Sequence, residues 1–132
     1  MPKFANRVRM VSTTTGTGTA TLSSAVAGYR TIAASGLADG TLVSYAAEEG
    51  TSWECGRGTI GASGTTLTRT SILASSNSGT AINLAGGAEF AIMPLAEDFV
   101  LACPPGGRLT LTTGTPVTTA DVTGATTRRY AP

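Results

Sequence analysis

Short runs of alternating apolar and polar residues recur along the chain, separated by glycine, serine, asparagine and aspartate. Alternation with a period of two is typical of strands that bury one face, and turn residues about every ten positions are typical of all-β domains. Helical periodicity is almost absent. The sequence therefore predicts an all-β fold, a β-sandwich or a barrel-like domain. The predicted strands cover residues 7–12, 17–22, 29–34, 42–48, 52–59, 65–71, 81–84 and 89–94.

The prolines and glycines at 104–107 interrupt this pattern, because they stop both helices and strand ladders. We predict three parts. Residues 1–12 form an N-terminal arm, residues 13–98 form the β-sandwich domain, and residues 99–132 form a Pro/Gly linker with an extended segment for oligomerisation. The last part is too short to hold a core of its own.

Large core-forming side chains are few, and threonine, alanine, glycine and serine supply more than half of the chain. So light a core predicts that stability is shared with other copies, as in an obligate oligomer. The alternative is a small domain with a lean core. Trp53, the one large anchor, and Tyr45 on the predicted strand before it are expected in the core, and ligand stacking is the alternative for both.

Composition also limits the chemistry of the chain. It contains no histidine and only one lysine, so a Ser-His-Asp relay is excluded and a metal site is not indicated. Acidic residues offer the one remaining catalytic route, a carboxylate pair for glycoside hydrolysis, but aromatics at 5% do not suggest a sugar-lined groove. We therefore predict a protein that is not an enzyme and uses no cofactor. The carboxylate candidates are Glu48, Glu54, Glu89 and Asp98.

Residues 56–61 read Gly-Arg-Gly-Thr-Ile-Gly and match the dinucleotide-binding fingerprint letter for letter. That mechanism needs a helix directly after the glycines and an acidic residue about 20 positions further on. A turn and another strand are predicted there instead. We interpret the motif as a glycine-permitted bulge and hairpin.

Charge is distributed unevenly along the chain. Residues 1–38 carry four basic side chains and no acidic one, residues 39–98 carry seven acidic and two basic ones, and residues 99–132 carry three basic and one acidic. Basic ends around an acidic middle favour contacts between copies or with an acidic neighbour. Nucleic acid is a weaker alternative, because the basic residues are sparse and lack interleaved aromatics. The predicted assembly contacts are Arg7, Arg9, Arg108, Arg128 and Arg129.

Cys55 and Cys103 match no metal-binding spacing. We expect two reduced cysteines in a protein made in the cytoplasm; the alternative is a disulfide, within or between subunits, that forms after release into an oxidising medium. No stretch is long and apolar enough for a transmembrane helix, so no membrane partner is expected. The basic start has no apolar segment behind it, which argues against a secretion signal.

Nine short sequence motifs follow one another between residues 6 and 87. They are Asn6-Arg7-Val8, Thr13 to Thr19, Ala27-Gly28-Tyr29-Arg30-Thr31, Asp39-Gly40, Glu48 to Glu54, Gly58-Thr59, Leu67 to Thr70, Leu73 to Asn77 and Leu84 to Gly87. The series resembles the N-terminal module of tailed-bacteriophage virion proteins. A second block, Gly107 to Thr112 followed by Gly114 to Asp121, is similar to a segment of phage tail-fibre and minor tail proteins.

This resemblance implies a virion structural protein, made in the bacterial cytoplasm, that anchors a fibre or spike to the tail, collar or head. It implies self-association, expected as a homotrimer, and contacts with portal or neck, tail or major capsid proteins. Two alternatives remain open: a capsid decoration protein that stabilises the head shell, and a host-glycan-binding module.

Overall fold

The computed structural model describes residues 1–99 of the 132-residue chain. Strands dominate this part, and its only helical pieces are the short helix α1 and two single 3-10 turns. The all-β prediction is confirmed. The strands are β1 (Val8–Ser12), β2 (Thr15–Gly16), β3 (Ala20–Ala25), β4 (Leu42–Glu49), β5 (Ser52–Gly61), β6 (Thr66–Ser75), β7 (Leu84–Ala85) and β8 (Glu89–Ile92); the helical pieces are α1 (Ile32–Ser35), Ala62–Gly64 and Ala96–Asp98.

Six strands form one antiparallel sheet in which each strand has a strand neighbour on both sides. Their order is β1-β3-β6-β5-β4-β8, and β8 pairs with β1 again. The pairing of β4 with β5 runs from Leu42 opposite Thr59 to Glu49 opposite Ser52. By contrast, β3 meets β6 over only two residue pairs. β2 and β7 make a separate two-stranded sheet.

The inner face of this sheet carries the hydrophobic core. Tyr45 and Phe90 stack within it, with ring centroids 5.6 Å apart. Burying one such side chain contributes about 1.5–3 kcal/mol. The prediction that Tyr45 belongs to the core is confirmed. The core residues are Val8, Met10, Ala20, Leu22, Ile32, Val43, Tyr45, Ala47, Ile60, Leu67, Ile82, Leu84, Ala88, Phe90 and Ile92.

The strand predicted over residues 29–34 is wrong, because α1 begins inside it. Thr31 caps the helix: its Oγ1 accepts a hydrogen bond from the Ala34 amide at 3.1 Å. Gly36 ends the helix in the left-handed conformation, with φ of 80°. A capping threonine before Ile32 and a glycine four residues after it are helix signals. These helix signals outweigh the alternating pattern that predicted a strand here.

Residues 8–12 of the predicted N-terminal arm form β1 instead of extending away from the domain. β1 lies between β3 and β8, with Met10 opposite both Ala25 and Phe90. Earlier in the segment, the Lys3 amide donates a hydrogen bond to the Leu42 carbonyl at 2.8 Å. The N-terminal residues therefore belong to the same sheet as β4.

Glycines of the 56–61 motif lie in β5, where they allow close approach of β6. A Cβ at Gly56 would lie 2.2 Å from the Ser71 carbonyl oxygen, and one at Gly58 would lie 2.8 Å from the Leu67 side chain. The register of β5 against β6 shifts at both glycines. These shifts agree with the interpretation that the glycines permit a bulge, and the extra residues, Thr70 and Leu73, lie in β6.

Residue contacts divide the chain into two units, Met1–Asp98 and Phe99–Pro132. The predicted boundary between residues 98 and 99 coincides with this division. The extended segment predicted within 99–132 lies almost entirely outside the described residues. None of the helices in the described part is long and apolar enough to cross a membrane.

Candidate interaction surface

A buried ion pair lies on the inner face, between β5 and β6. Arg69 Nη1 and Glu54 Oε2 are 3.0 Å apart, and the two side chains are 2% and 0% exposed. Glu54 also accepts hydrogen bonds from the Tyr45 hydroxyl at 2.7 Å and from the Ile82 amide at 2.8 Å. Every charge in this pair therefore has several polar partners, which is the condition for tolerating buried charge.

Arg69 also binds backbone carbonyls near the place where β3 and β6 pair over only two residues. Its guanidinium donates hydrogen bonds to the carbonyls of Gly16 at 3.2 Å, Gly18 at 2.9 Å and Ile82 at 2.9 Å. Arg69 thus links the segment before β3 and the segment before β7 to β6. This is a structural role, since its donors are occupied by the chain itself.

Burial raises the pKa of the Tyr45 hydroxyl far above its usual value, and the hydrogen bond to Glu54 raises it further. The hydroxyl therefore stays protonated and acts as a donor to the carboxylate. A phenol held in this way supplies no proton at neutral pH.

On the outer face, small side chains form the floor of a depression. Ala46 lies opposite both Cys55 and Ala91, so small residues are adjacent across three strands. Glu48 lies opposite Trp53 and Glu89 and forms one wall. The depression has a volume of about 320 Å³. We call it the outer groove, and define it by Arg9, Ala46, Glu48, Trp53, Ala91 and Met93.

Two carboxylates at the outer groove share one guanidinium. Arg9 Nε lies 2.6 Å from Glu89 Oε2, and Arg9 Nη2 pairs with Glu48 Oε1. Directly opposed like charges destabilise a sheet, so Arg9 offsets the repulsion between the two glutamates. Partial burial lowers the pKa of Arg9, but Glu89 and then Glu48 outweigh this effect and leave that pKa raised. The cluster retains one excess negative charge.

A second cavity of about 380 Å³ adjoins the outer groove, with Arg9, Ala91 and Met93 lining both. Tyr29 lines it, and the guanidinium carbons of Arg7 and Arg9 lie 5.3 and 6.0 Å from the centre of that ring. These distances are in the range of cation–π contacts. Arg7 also donates to the Gly28 carbonyl, at 2.5 Å from Nη2.

The prediction that Trp53 belongs to the core is wrong, because the side chain is 47% exposed. It precedes Glu54, whose side chain points inward, so the alternation of β5 directs the indole outward. The residues of β5 that face inward could be identified from Ile60, an apolar residue expected in the core. Residues two, four and six positions before Ile60 lie on the same face of the strand, and these are Gly58, Gly56 and Glu54. The burial of the Arg69 side chain was not predicted either. Arg69 lies two residues after the buried Leu67 on β6, and alternate residues of a strand share a face.

The predicted assembly arginines are only partly described. Arg7 and Arg9 lie close together on the outer surface, and both contact groups of their own chain. Arg108, Arg128 and Arg129 lie outside the described residues. Cys55 is half-buried beside Ala46, and Cys103 lies outside the described residues, so the disulfide stays a prediction.

The carboxylate candidates separate into three environments. Glu54 is buried with Arg69, Glu48 and Glu89 share Arg9, and Asp98 Oδ1 lies 2.8 Å from Arg57 Nη2. Within residues 1–99, no group of three potential metal-binding side chains occurs. The arrangement offers a surface with charge pairs and exposed apolar side chains, which is suited to binding. No family model, curated protein or solved structure matches the chain.

Proposed function

We propose that the chain is a structural component of a tailed-bacteriophage virion, a fibre or spike anchor that associates with copies of itself as a homotrimer and attaches to the particle. The observation that carries the proposal is one face on which Trp53, Met93 and Tyr29 are 47%, 42% and 41% exposed. Aromatic, methionine and arginine side chains are enriched at protein interfaces. The resemblance of the sequence to virion proteins supplies the biological setting.

The outer face is the proposed means of assembly. Most strand edges of the six-stranded sheet are already paired, although β6 pairs with β3 only at its first two residues, so this part of the chain favours contact through faces over pairing at strand edges. Arg9 and Tyr29 line the cavities of this face and supply polar groups beside the apolar ones. A central apolar patch with charged groups at its rim is the usual anatomy of a specific interface.

Reconstitution tests the proposal. Particles assembled without the chain are incubated with the purified full chain and sedimented. We expect the chain to sediment with these particles, but not with particles that already carry it, because their sites are filled. Chain that remains in the supernatant in both cases would contradict attachment.

Copy number then separates the anchor from a decoration protein. Hundreds of copies per particle indicate decoration of the head shell, whereas a few tens or fewer indicate a fibre or neck position.

A further inference from the structure

The N-terminal segment presents an aromatic ring beside a positive charge. Phe4 is 43% exposed, and Lys3 is exposed next to it. The hydrogen bond from the Lys3 amide to the Leu42 carbonyl holds both residues at the start of β4. Among the described residues, no carboxylate forms a salt bridge with Lys3. We call Lys3 and Phe4 the N-terminal knob.

The outer groove offers the complementary chemistry. Its floor of Ala46 and Ala91 leaves room for a flat apolar group between Trp53 and Met93. On its wall, the Glu48 side chain is 59% exposed and shares Arg9 with Glu89, so the cluster has one negative charge in excess. An aromatic side chain with an adjacent ammonium group fits such a site, since each has a matching partner there.

We infer that the outer groove of one copy binds the N-terminal knob of a second copy, with Phe4 beside Trp53 and Lys3 beside Glu48. This inference rests on the proposed self-association and names the surfaces that produce it. It also gives the basic N-terminal segment a contact with acidic residues of another copy.

Distance along the strand separates the N-terminal knob from Glu48 of its own copy, although Met93 at the other end of the outer groove is hydrogen-bonded to Ser44. Lys3 lies beside Val43, and Glu48 is five residues further along β4. At about 3.4 Å per residue the two positions are about 17 Å apart, and the knob is held at the first of them. Each copy therefore has a knob at one place and a groove at another. Such head-to-tail contacts build a closed ring when the rotation between copies closes, as in a trimer.

The single tryptophan reports directly on the outer groove. We propose measuring mass by sedimentation and Trp53 emission over a dilution series of the full chain. In the wild-type chain, the emission shifts to shorter wavelength as the oligomer forms, because the indole loses water. Phe4→Ala abolishes that shift and weakens association at least tenfold, as is usual for a central aromatic contact. Trp53→Ala weakens association to a similar degree.

Two further variants complete the experiment. Leu73→Ala is the matched control, because Leu73 is 39% exposed but lies on β6, outside the outer groove. It leaves association unchanged. Lys3→Glu and Glu48→Lys each weaken association, and the double variant restores it in part, because the swapped charges again attract each other.

The outcomes are distinct. A chain that associates while Phe4→Ala matches the wild type would overturn this inference and leave the proposed function standing. A wild-type chain that stays monomeric at every concentration would overturn the inference and the homotrimer, while attachment is judged separately by reconstitution. A groove that binds host glycan, seen as Trp53 quenching with no effect of Phe4→Ala on association, would overturn it in favour of the glycan alternative.

Discussion

Two of the three arginine–carboxylate groups among the described residues use the same chemistry on opposite faces of one sheet. Arg69 and Glu54 are buried and hydrogen-bonded to backbone groups of two segments, the one before β3 and the one before β7. Arg9 and Glu48, by contrast, have side chains that are 26% and 59% exposed. The inner pair holds the chain together where strand pairing is shortest, and the outer cluster lies beside exposed apolar side chains. Location, not residue type, separates the structural charges from those available to a partner.

Removing the inner arginine should have the largest effect. Arg69→Ala leaves Glu54 as an uncompensated buried charge and leaves three carbonyls without their donor, which we expect to cost about 3–5 kcal/mol of unfolding free energy. Urea unfolding followed by circular dichroism measures it. The double variant Arg69→Met with Glu54→Gln should be more stable than Arg69→Ala, because no buried charge remains. Equal stability of the two variants would contradict the assigned role of the pair.

Gly56 provides a second test of the inner face. Gly56→Ala places a methyl group against the Ser71 carbonyl, so β5 and β6 must separate, at an expected cost of about 3 kcal/mol. Gly18→Ala is the matched control, since no atom lies within 4 Å of its Cβ position and its backbone is not left-handed. Thermal unfolding of the two variants compares them. Similar losses for both would show that close packing at Gly56 is not the cause.

Alkaline pH should weaken the inner face specifically. The unfolded chain releases the Tyr45 proton near pH 10, whereas burial raises the pKa of this hydroxyl in the folded chain far above that value. The folded state then binds more protons, so above about pH 10 this group lowers the unfolding free energy by up to about 1.4 kcal/mol per pH unit. Its contribution is fully present at lower pH. Urea unfolding from pH 8 to 11 should show a shallower decline for Tyr45→Phe than for the wild type.

The outer cluster should contribute least to stability. Arg9→Ala removes two partly exposed ion pairs and leaves Glu48 opposite Glu89 without a shared cation, and we expect a loss of about 1 kcal/mol, smaller at high salt. Chemical unfolding at low and high salt measures both. A loss as large as that of Arg69→Ala would erase the distinction between the two faces.

Much of the fold could be predicted, because alternation and turn residues are local signals. The predicted strand over 42–48 agrees with β4 to within one residue, and the strand over 52–59 lies within β5. The Trp53 prediction failed although a local signal was present: the size of the side chain suggested burial, but alternation counted back from Ile60 places Glu54 on the inner face and Trp53 on the outer one. Other predictions failed where tertiary context decides. Pairing of Glu54 with Arg69 depends on the register of β5 and β6, which no local pattern reveals.

The outer groove could not be predicted either. Its floor combines Ala46, Cys55 and Ala91, which lie far apart in the sequence and meet only through the order β5-β4-β8. Similarly, Arg9 reaches its acidic partners because β1 is a strand of this sheet and not an arm. The uneven distribution of charge was visible in the sequence. Only the strand order shows that Arg9 pairs with acidic residues of its own chain, whereas Lys3 is exposed in the N-terminal knob.

The most direct test of the central claim, that this chain is a structural part of a virion, is to count it in purified particles. Quantitative mass spectrometry of its peptides, set against those of the major capsid protein, gives the number of copies per particle. Our account predicts a constant number that is a multiple of three. Particles that contain the full set of capsid and tail proteins but none of this chain would contradict it.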